Sequence, residues 1–456
     1  MKRKASGPEE ADSLKLEVSL PSGRYESVVV SQFARLSDLK IAAQQSLGQR
    51  FLRLAAPDGR LLDQTGSLEL SGLQNGDSLT AVAQQPKVAA TWRAFALWCV
   101  GSRAVTWGNL KCGGDSSGVQ HQLRNVQEIC CTAASFAAIL AEGTVVTWGD
   151  PDYGGDSSRV QHQLRNVKQV CGTASSFAAV LANGTVVTWG DAYLDYGADS
   201  SRVQHELRNV QQVCGTCKAF AAILANGNVV TWGHLNSGGD SSKVQHQLRN
   251  VQQICGAANA FAAILANGNV VTWGHRLLGG DSSRVQHRLR NVHQICSAGN
   301  AFAAILANGN VVTWGNLKCG GDSSRVQHQL RNVQEIRCTA ASFAAILAEG
   351  TVVTWGDPDY GGDSSRVQHQ LRNVKQVCGT RKAFAAILAE GAVVTWGDPD
   401  YGGDSSIVQH QLRNVQQIFA TRKAFAAILA NGTVVTWGHP DRGGNHSSVE
   451  KLFSHI

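Results

Sequence analysis

Histidine recurs along this 456-residue chain at a nearly constant spacing, and imidazole is both a metal ligand and a proton carrier. Metal ligands must converge on one ion at a distance of about 2 Å. Residues repeated around a stacked array diverge instead, so we expect no metal site and interpret these histidines as surface or loop-packing residues. The series is His121, His162, His205, His246, His287, His328, His369 and His410.

Six of the twelve cysteines hold one position of the same repeat, and Arg337 and Phe419 replace cysteine there in two units. We interpret the six as small buried hydrophobic residues in a reducing compartment, since equivalent positions of neighbouring units are too far apart to bridge. Cys214 and Cys217 have the C-x-x-C spacing of zinc or redox sites, but no second pair lies nearby, so such a site is the weaker alternative. The six are Cys130, Cys171, Cys214, Cys255, Cys296 and Cys378.

An aspartate precedes Ser-Ser in most units, where it can cap a short helical turn by accepting backbone N–H groups. In one unit Val285 and Leu289 would give that turn an apolar side. Because Ser, His and Asp are copied into many units, no unique nucleophile and base can be assigned. We expect no catalytic residue and no cofactor. The aspartates are Asp115, Asp156, Asp240, Asp281, Asp322, Asp363 and Asp404.

The tetrapeptide Val-Thr-Trp-Gly sets the period that must position all these residues, with a spacing of 41 residues at every step but one, where it is 43. A period of this size indicates a stacked array of units. Residues present in every unit are then structural, and function is expected where units differ, on their shared surface or outside the array. The nine tryptophans are Trp107, Trp148, Trp189, Trp232, Trp273, Trp314, Trp355, Trp396 and Trp437.

One unit shows the elements within the repeat. Asn267-Gly268 separates two β-prone runs, and this pair favours a type I′ hairpin turn between strands at 261–266 and 269–273. The first of these runs, Phe-Ala-Ala-Ile-Leu-Ala, does not alternate with polar residues, which indicates a strand covered on both faces. Residues 251–255 supply a third strand. The fold class is therefore mainly β, a propeller-like array of nine units of about 41 residues.

The pattern Phe-Ala-Ala-Ile-Leu-Ala-Asn-Gly-x-Val-Val-Thr-Trp-Gly resembles the repeat of the regulator of chromosome condensation family, in its compact three-stranded-blade variety. The resemblance implies a β-propeller, although the loop shows Gly-Gly-Asp-Ser-Ser where the family has Gly-Gln-Leu-Gly. Nucleotide exchange in that family needs a projecting hairpin, and the only length irregularity here is two residues within 191–197. Nine units imply a wide closed ring or an open spiral, and the degenerate first unit is typical of a cap.

The segment before the array has its own order of hairpin, helix at 36–47 and returning strands. It resembles a ubiquitin-like β-grasp domain, and Gly59-Arg60-Leu61-Leu62-Asp63 matches a corner of that family. We predict a flexible N-terminus at 1–13, the ubiquitin-like domain at 14–83, a linker at 84–87 and the repeats at 88–456. The terminal Gly-Gly of a transferable modifier is absent, so we expect a recognition module with Arg50, Leu52 and Arg53 on its binding face.

The net charge of +7 arises wholly in the repeats, because residues 1–86 hold ten Lys and Arg against ten Asp and Glu. This excess permits an acidic partner but lacks the clustered basic patch of a nucleic-acid binder. A repeated arginine forms either a basic ring for a partner or a set of cations at helix C-termini. The series is Arg124, Arg165, Arg208, Arg249, Arg290, Arg331, Arg372 and Arg413.

No secretory signal or membrane span is evident in the sequence, so we expect an intracellular protein, cytoplasmic or nuclear. The leading hypothesis is a non-enzymatic interaction scaffold or adaptor, in the ubiquitin pathway by its resemblance to propeller modules of HECT-type ligases. A ligase is not expected, since nineteen residues follow Trp437. The alternative is guanine-nucleotide exchange or chromatin-associated regulation of a small GTPase. We expect protein partners, and neither nucleic acid nor membrane.

Overall fold

The computed structural model describes residues 12–62, 66–191 and 196–445. Contacts divide the chain into two compact units, one built mainly from residues up to Lys87 and one that begins at Val88. Asp63 of the predicted corner, most of the predicted flexible N-terminus and residues 192–195 of the irregular loop lie outside the described residues. Among the described helices, none is long and apolar enough to cross a membrane.

The N-terminal unit is a four-stranded mixed sheet with one α-helix. The strands β1 (Ser13–Ser19), β2 (Tyr25–Ser31), β3 (Leu52–Ala55) and β4 (Ser78–Ala83) lie in the order β2-β1-β4-β3, with β1 and β4 parallel. The helix begins where the Asp38 carboxylate accepts the Arg35 N–H at 3.0 Å and ends at Gly48, whose φ is 63°. The predicted hairpin and helix are confirmed. The helix is α1 (Leu36–Leu47), and a 3-10 turn lies at Glu69–Ser71.

The described residues of the larger unit form nine separate three-stranded antiparallel sheets, or blades, which confirms the predicted propeller-like array. In every blade the second strand lies between the first and the third. First strands are β5 (Lys87–Ala90), β8 (Val126–Cys131), β11 (Val167–Gly172), β14 (Val210–Gly215), β17 (Val251–Gly256), β20 (Val292–Ala298), β23 (Val333–Cys338), β26 (Val374–Gly379) and β29 (Val415–Ala420). Second strands are β6 (Ala94–Trp98), β9 (Ser135–Leu140), β12 (Ser176–Leu181), β15 (Ala219–Leu224), β18 (Ala260–Leu265), β21 (Ala301–Leu306), β24 (Ser342–Leu347), β27 (Ala383–Leu388) and β30 (Ala424–Leu429).

The third strand of each blade ends at the Gly of Val-Thr-Trp-Gly or its equivalent. Third strands are β7 (Ala104–Gly108), β10 (Val145–Gly149), β13 (Val186–Gly190), β16 (Val229–Gly233), β19 (Val270–Gly274), β22 (Val311–Gly315), β25 (Val352–Gly356), β28 (Val393–Gly397) and β31 (Val434–Gly438). A 3-10 turn follows at Leu110–Cys112, Pro151–Tyr153, Leu235–Ser237, Arg276–Leu278, Leu317–Cys319, Pro358–Tyr360, Pro399–Tyr401 and Pro440–Arg442. Further 3-10 turns lie at Gln245–Gln247, Gln286–Arg288 and Gln409–Gln411.

The hairpin is present in each blade, but the predicted type I′ turn is wrong. Gly268 has a φ of +75°, whereas Asn267 is not among the residues with positive φ. The Gly268 N–H donates to the Leu265 carbonyl at 2.8 Å, which describes a type I turn closed by a left-handed glycine. The left-handed asparagine is instead Asn250, before the first strand, with a φ of 54°.

The hydrophobic core lies between neighbouring blades. One cluster joins Ala221 and Val229 of the fourth blade to Ile254, Phe261 and Trp273 of the fifth. The second strand is buried along its length, as the uninterrupted apolar run predicts. Each blade is thus covered on one face by the preceding blade and on the other by the following blade, and a single blade has no core of its own.

Each tryptophan of the repeat fixes its blade to the preceding one. Trp273 stacks on Phe261 with ring centroids 5.1 Å apart, and its Nε1–H donates to the Gly238 carbonyl of the preceding loop at 3.0 Å. Gly238 has a φ of +98°, and a Cβ there would lie 2.5 Å from the Phe261 ring. Only glycine satisfies both the conformation and the close approach.

The ring of blades is closed, which settles the choice between ring and spiral. Trp107 of the first blade donates its Nε1–H to the Gly443 carbonyl of the ninth blade's loop at 3.3 Å, and a Cβ on Gly443 would lie 2.6 Å from Phe95. The first unit therefore contacts a neighbour on each side, and the expectation that it caps the array is wrong.

Besides the tryptophan contacts, a circle of backbone hydrogen bonds surrounds the propeller axis. It is formed by residues that follow the first strand of each blade. At eight of its nine steps a backbone N–H donates to the carbonyl of the equivalent residue in the next blade, at 2.7 to 3.3 Å. The Arg422 N–H closes the circle on the Trp92 carbonyl at 3.3 Å. We call this circle, with the residue after each member, the axial mouth. Its members are Trp92, Ala133, Ala174, Cys217, Ala258, Gly299, Ala340, Arg381 and Arg422.

The repeated polar residues hold the loop that joins one blade to the next. Thr272 Oγ1 lies 3.0 Å from Ser282 Oγ, which donates to Gln286 Oε1 at 2.8 Å, and Gln286 Nε2 donates to the Val270 carbonyl at 2.9 Å. Asp281 Oδ1 accepts the Ser283 N–H at 2.9 Å. The hydrogen bond from the Ser283 N–H to the Asp281 side chain closes a local side-chain turn. It is not the predicted helix cap, because the 3-10 turn starts only at Gln286.

The hydrogen bond from the tryptophan indole to the preceding loop can be tested in two places, within the array and between the ninth and first blades. Trp273→Phe keeps most of the packing but removes the indole donor, so we expect the free energy of unfolding to fall by about 1–3 kcal/mol. Trp107→Phe should lower it by a similar amount, because Trp107 makes the same contact across the closure. Urea unfolding followed by circular dichroism measures both. A Trp107→Phe protein as stable as the parent, beside a destabilised Trp273→Phe protein, would contradict closure.

Candidate functional site

The arginine series does not converge on one site. Each of these eight arginines is exposed and precedes the first strand of its blade, with one in every blade from the second to the ninth. The axial mouth follows the same strand, so a strand of six residues, about 20 Å long, separates the two. The series therefore lies at the opposite end of the blades from the axial mouth.

The predicted binding face of the N-terminal unit is wrong at one of its three residues. Leu52 is 0% exposed and packs in the core of that unit. Arg53 is half-buried and pairs with Val82 of β4 across the sheet. Arg50 is also half-buried, so the two arginines reach solvent where Leu52 does not.

The histidines of the series are exposed, as the sequence predicts. Within the described ranges, no group of three His, Cys, Asp or Glu side chains is placed to hold a metal ion. The members of the series are separated by whole blades.

The six repeated cysteines are free and half-buried on the first strands, not fully buried as expected. Burial raises the pKa of Cys214 to about 11, and it raises the pKa of Cys255 and of Cys378 to about 12. Burial also raises the pKa of Cys217, which belongs to the axial mouth. Because the thiolate is the reactive form, these shifts oppose a redox role for Cys214 and Cys217.

The blades differ from one another at the axial mouth, a site that could not be recognised from the sequence alone. Most blades place Ala, Ser, Asn or Gly at its two positions. The eighth, ninth and first blades place Arg-Lys, Arg-Lys and Trp-Arg there, and the fourth blade places Cys217-Lys218 there. Closure makes the eighth, ninth and first blades consecutive, so basic side chains that are far apart in the sequence become neighbours.

The aromatic and basic side chains of the axial mouth are in contact. The Arg422 guanidinium lies 3.1 Å from the centre of a Trp92 ring. Burial and, next in size, the positive charge of Arg381 lower the pKa of Arg422 to about 10. Arg442, in the loop of the ninth blade, has a pKa lowered by burial and then by the charge of Arg93. The cluster is thus positively charged and self-repelling.

Carboxylates neutralise little of this charge. Lys382 Nζ lies 3.5 Å from Asp398 Oδ2, and Lys423 Nζ lies over the Tyr401 ring at 4.3 Å. Among the described residues, neither Arg381 nor Arg422 forms an ion pair within 4.0 Å. Their charge is therefore available to an anionic ligand.

A cavity of about 510 Å³ opens at the axial mouth. Its polar lining includes Arg381, Arg422 and Asn300, and its aromatic lining includes Trp92 and Tyr360. A concave surface that combines apolar walls with a few charged groups is the usual form of a binding site. The signal for it in the sequence is the dipeptide before each Ala-Phe or Ser-Phe, which varies while its surroundings repeat.

The cysteine pair can be tested by alkylation. At pH 8 a pKa of about 11 in place of 9.0 lowers the thiolate fraction of Cys214 about 100-fold. We therefore expect iodoacetamide to label Cys214 far more slowly in the native chain than in denaturant, as measured by peptide mass spectrometry. Cys378, a thiol of the same repeat position, serves as the internal reference. If Cys214 is labelled rapidly in the native chain while Cys378 is not, the result would instead support a reactive C-x-x-C pair.

Comparisons with known proteins return solved structures only, since no family model and no curated protein matches the sequence. The Prp20 protein of Saccharomyces cerevisiae is similar at 15% identity over 68% of this chain and 82% of Prp20, with a TM-score of 0.38. The ectodomain of the Physcomitrella patens receptor kinase CR4 is similar at 15% identity over 60% of this chain and 74% of its own, with a TM-score of 0.37. A designed protein based on ubiquitin is similar at 25% identity over 16% of this chain and 89% of its own, with a TM-score of 0.15. Because these TM-scores are low, the fold assignment rests on the strand pairing of the chain itself.

Proposed function

We propose that this protein is a non-enzymatic scaffold that binds other proteins through its propeller. The observation that carries this proposal is the division between repeated and variable residues. The repeated Trp, Thr, Ser, Gln and Asp side chains are held in contacts within and between blades. Residues that differ between blades, from Ala-Ala to Arg-Lys, lie at the solvent-accessible axial mouth. Such an arrangement suits recognition, because one rigid framework presents side chains that can change independently.

We further propose that the N-terminal unit is a ubiquitin-like recognition module and that the protein acts as an adaptor in the ubiquitin pathway. The order of hairpin, helix and returning strands supports this, together with a sheet whose outer strands are β2 and β3. Val82, 42% exposed beside the half-buried Arg53, offers a mixed apolar and basic surface. Surfaces of this composition are common at protein interfaces.

The role of the N-terminal unit can be tested in the full chain by affinity capture with Val82→Glu. We expect the parent chain to retain ubiquitin-pathway proteins, identified by mass spectrometry and then rebound as purified proteins. Val82→Glu should lose them, because it replaces the apolar side chain of this surface by a carboxylate that can pair with Arg53. Val29→Glu is the matched control, since Val29 is 62% exposed on β2. A parent chain that retains no ubiquitin-pathway protein would contradict the adaptor proposal, and equal capture by all three chains would contradict the role of the Val82 face.

Guanine-nucleotide exchange is the competing activity and has a direct assay. A small GTPase loaded with fluorescent GDP is mixed with an excess of the full chain. A scaffold should leave the rate of nucleotide release at its intrinsic value, because it does not distort the nucleotide site. Acceleration by about tenfold or more would identify an exchange factor instead.

A further inference from the structure

We propose that the axial mouth binds an acidic, extended peptide segment of a partner protein, with Arg381 and Arg422 pairing with its carboxylates and Trp92 contacting its apolar groups. This inference rests on the proposed scaffold function and assigns the partner's chemistry. It follows from the geometry of the three consecutive blades that carry the basic residues.

The position of the two arginines suits a pair of carboxylates. The Arg381 N–H donates to the Arg422 carbonyl at 3.0 Å, so the two residues are related like neighbours on adjacent strands, about 5 Å apart. Alternate side chains of an extended peptide are about 6.5–7 Å apart and point the same way. The arginine side chains are long and flexible, so their guanidinium groups can spread to the wider spacing of the peptide side chains. Each guanidinium can bind a carboxylate through two N–H groups.

The stack between Arg422 and Trp92 orients one of these guanidiniums. A planar cation held face to face with an indole keeps its N–H groups at the edge of the plane, where they can donate to an anion. The stack also limits the conformational entropy that Arg422 loses when a ligand binds. Arg422 is therefore prepared for binding, whereas the exposed Arg381 can adjust to the ligand.

The surrounding charges favour an anion over a cation or a neutral ligand. Arg93 and Arg442 add positive charge on the side of the first blade, and their pairing with carboxylates would relieve repulsion within the cluster. Lys423, which follows the cavity-lining Arg422 in the chain, holds its ammonium group 4.3 Å from the centre of the Tyr401 ring. Asp398, by contrast, is paired with Lys382.

A peptide fits the site better than a compact phosphate ligand does. Apart from Lys218 of the fourth blade, the positive charges of the axial mouth are distributed along an arc of three blades, not around one point. The cavity between them also has apolar walls, including Ala340, Ala341 and Ala420. Such walls match the methylene and backbone groups of a peptide, and phosphate has no group that could use them.

The proposal is tested by fluorescence anisotropy with the full chain and a short labelled peptide of Glu-Gly repeats. We expect saturable binding that weakens as salt rises, and no binding of the matched Gln-Gly peptide. Arg381→Glu should raise the Kd about tenfold or more, because it places a carboxylate against the ligand. Arg422→Gln, which keeps a planar group over Trp92, should also weaken binding.

The control is Arg372→Glu, which makes the same charge change at the exposed arginine series on the opposite end of the blades. Its Kd should stay within about twofold of the parent value. Melting temperatures of all variants establish that each is folded. Unchanged binding by Arg381→Glu, or equal weakening by Arg372→Glu, would overturn the proposal.

Tripolyphosphate distinguishes the ligand class in the same assay. We expect it to compete less well than an unlabelled Glu-Gly peptide of equal charge. Stronger competition by tripolyphosphate would overturn the peptide in favour of a phosphate ligand. If the acidic peptide does not bind while affinity capture still retains partners, the axial mouth loses its role and the scaffold function stands.

Discussion

The structure depends on a glycine that has no room for a side chain. In each interface the loop glycine of one blade lies against the phenylalanine of the next, and its carbonyl accepts the tryptophan indole N–H. An added Cβ at Gly238 would lie 2.5 Å from the Phe261 ring, so no other residue fits without displacing the aromatic pair. This single contact requires Gly, Phe and Trp in neighbouring blades at once, and it explains why the three recur together.

Every blade takes part in two such contacts, because it supplies Phe and Trp to one neighbour and a loop glycine to the other. An open array would leave one tryptophan and one loop glycine without their partners. The ninth loop instead meets the first blade, where Gly443 lies against Phe95 and accepts from Trp107. Closure then determines the functional surface, since it brings the basic residues of the last two blades beside Trp92 and Arg93. The asymmetry of the axial mouth arises from local substitutions within a symmetric framework.

Much of the fold could be predicted because its determinants are local. The Asn-Gly pair marks the hairpin, the uninterrupted apolar run marks a strand covered on both faces, and the period marks the array. The turn type was predicted wrongly because Asn267 and Gly268 are compatible with two hairpin geometries. The loop geometry favours the turn in which glycine alone is left-handed. The Leu52 error has a similar origin, since β3 alternates between core and solvent and a shift of one residue exchanges the two faces.

The candidate site could not be predicted in the same way, because it depends on contacts between residues far apart in the chain. Trp92 and Arg422 are separated by almost the whole array, and only ring closure brings them into contact. Repetition also drew attention to the arginine series, whose regular spacing distributes it around the ring. The departure from the repeat was the informative signal, and it lies in the two residues that precede the second strand of each blade.

Closure is the central claim, and hydrogen exchange at the Arg422 backbone amide tests it most directly. This N–H donates to the Trp92 carbonyl only if the ninth blade meets the first. The Arg381 amide, which donates to Arg422 within the array, serves as the reference. A closed ring predicts that both amides exchange slowly and to a similar extent, as measured by mass spectrometry at residue resolution. Rapid exchange at Arg422 beside a protected Arg381 would show that the ring is open and contradict the account.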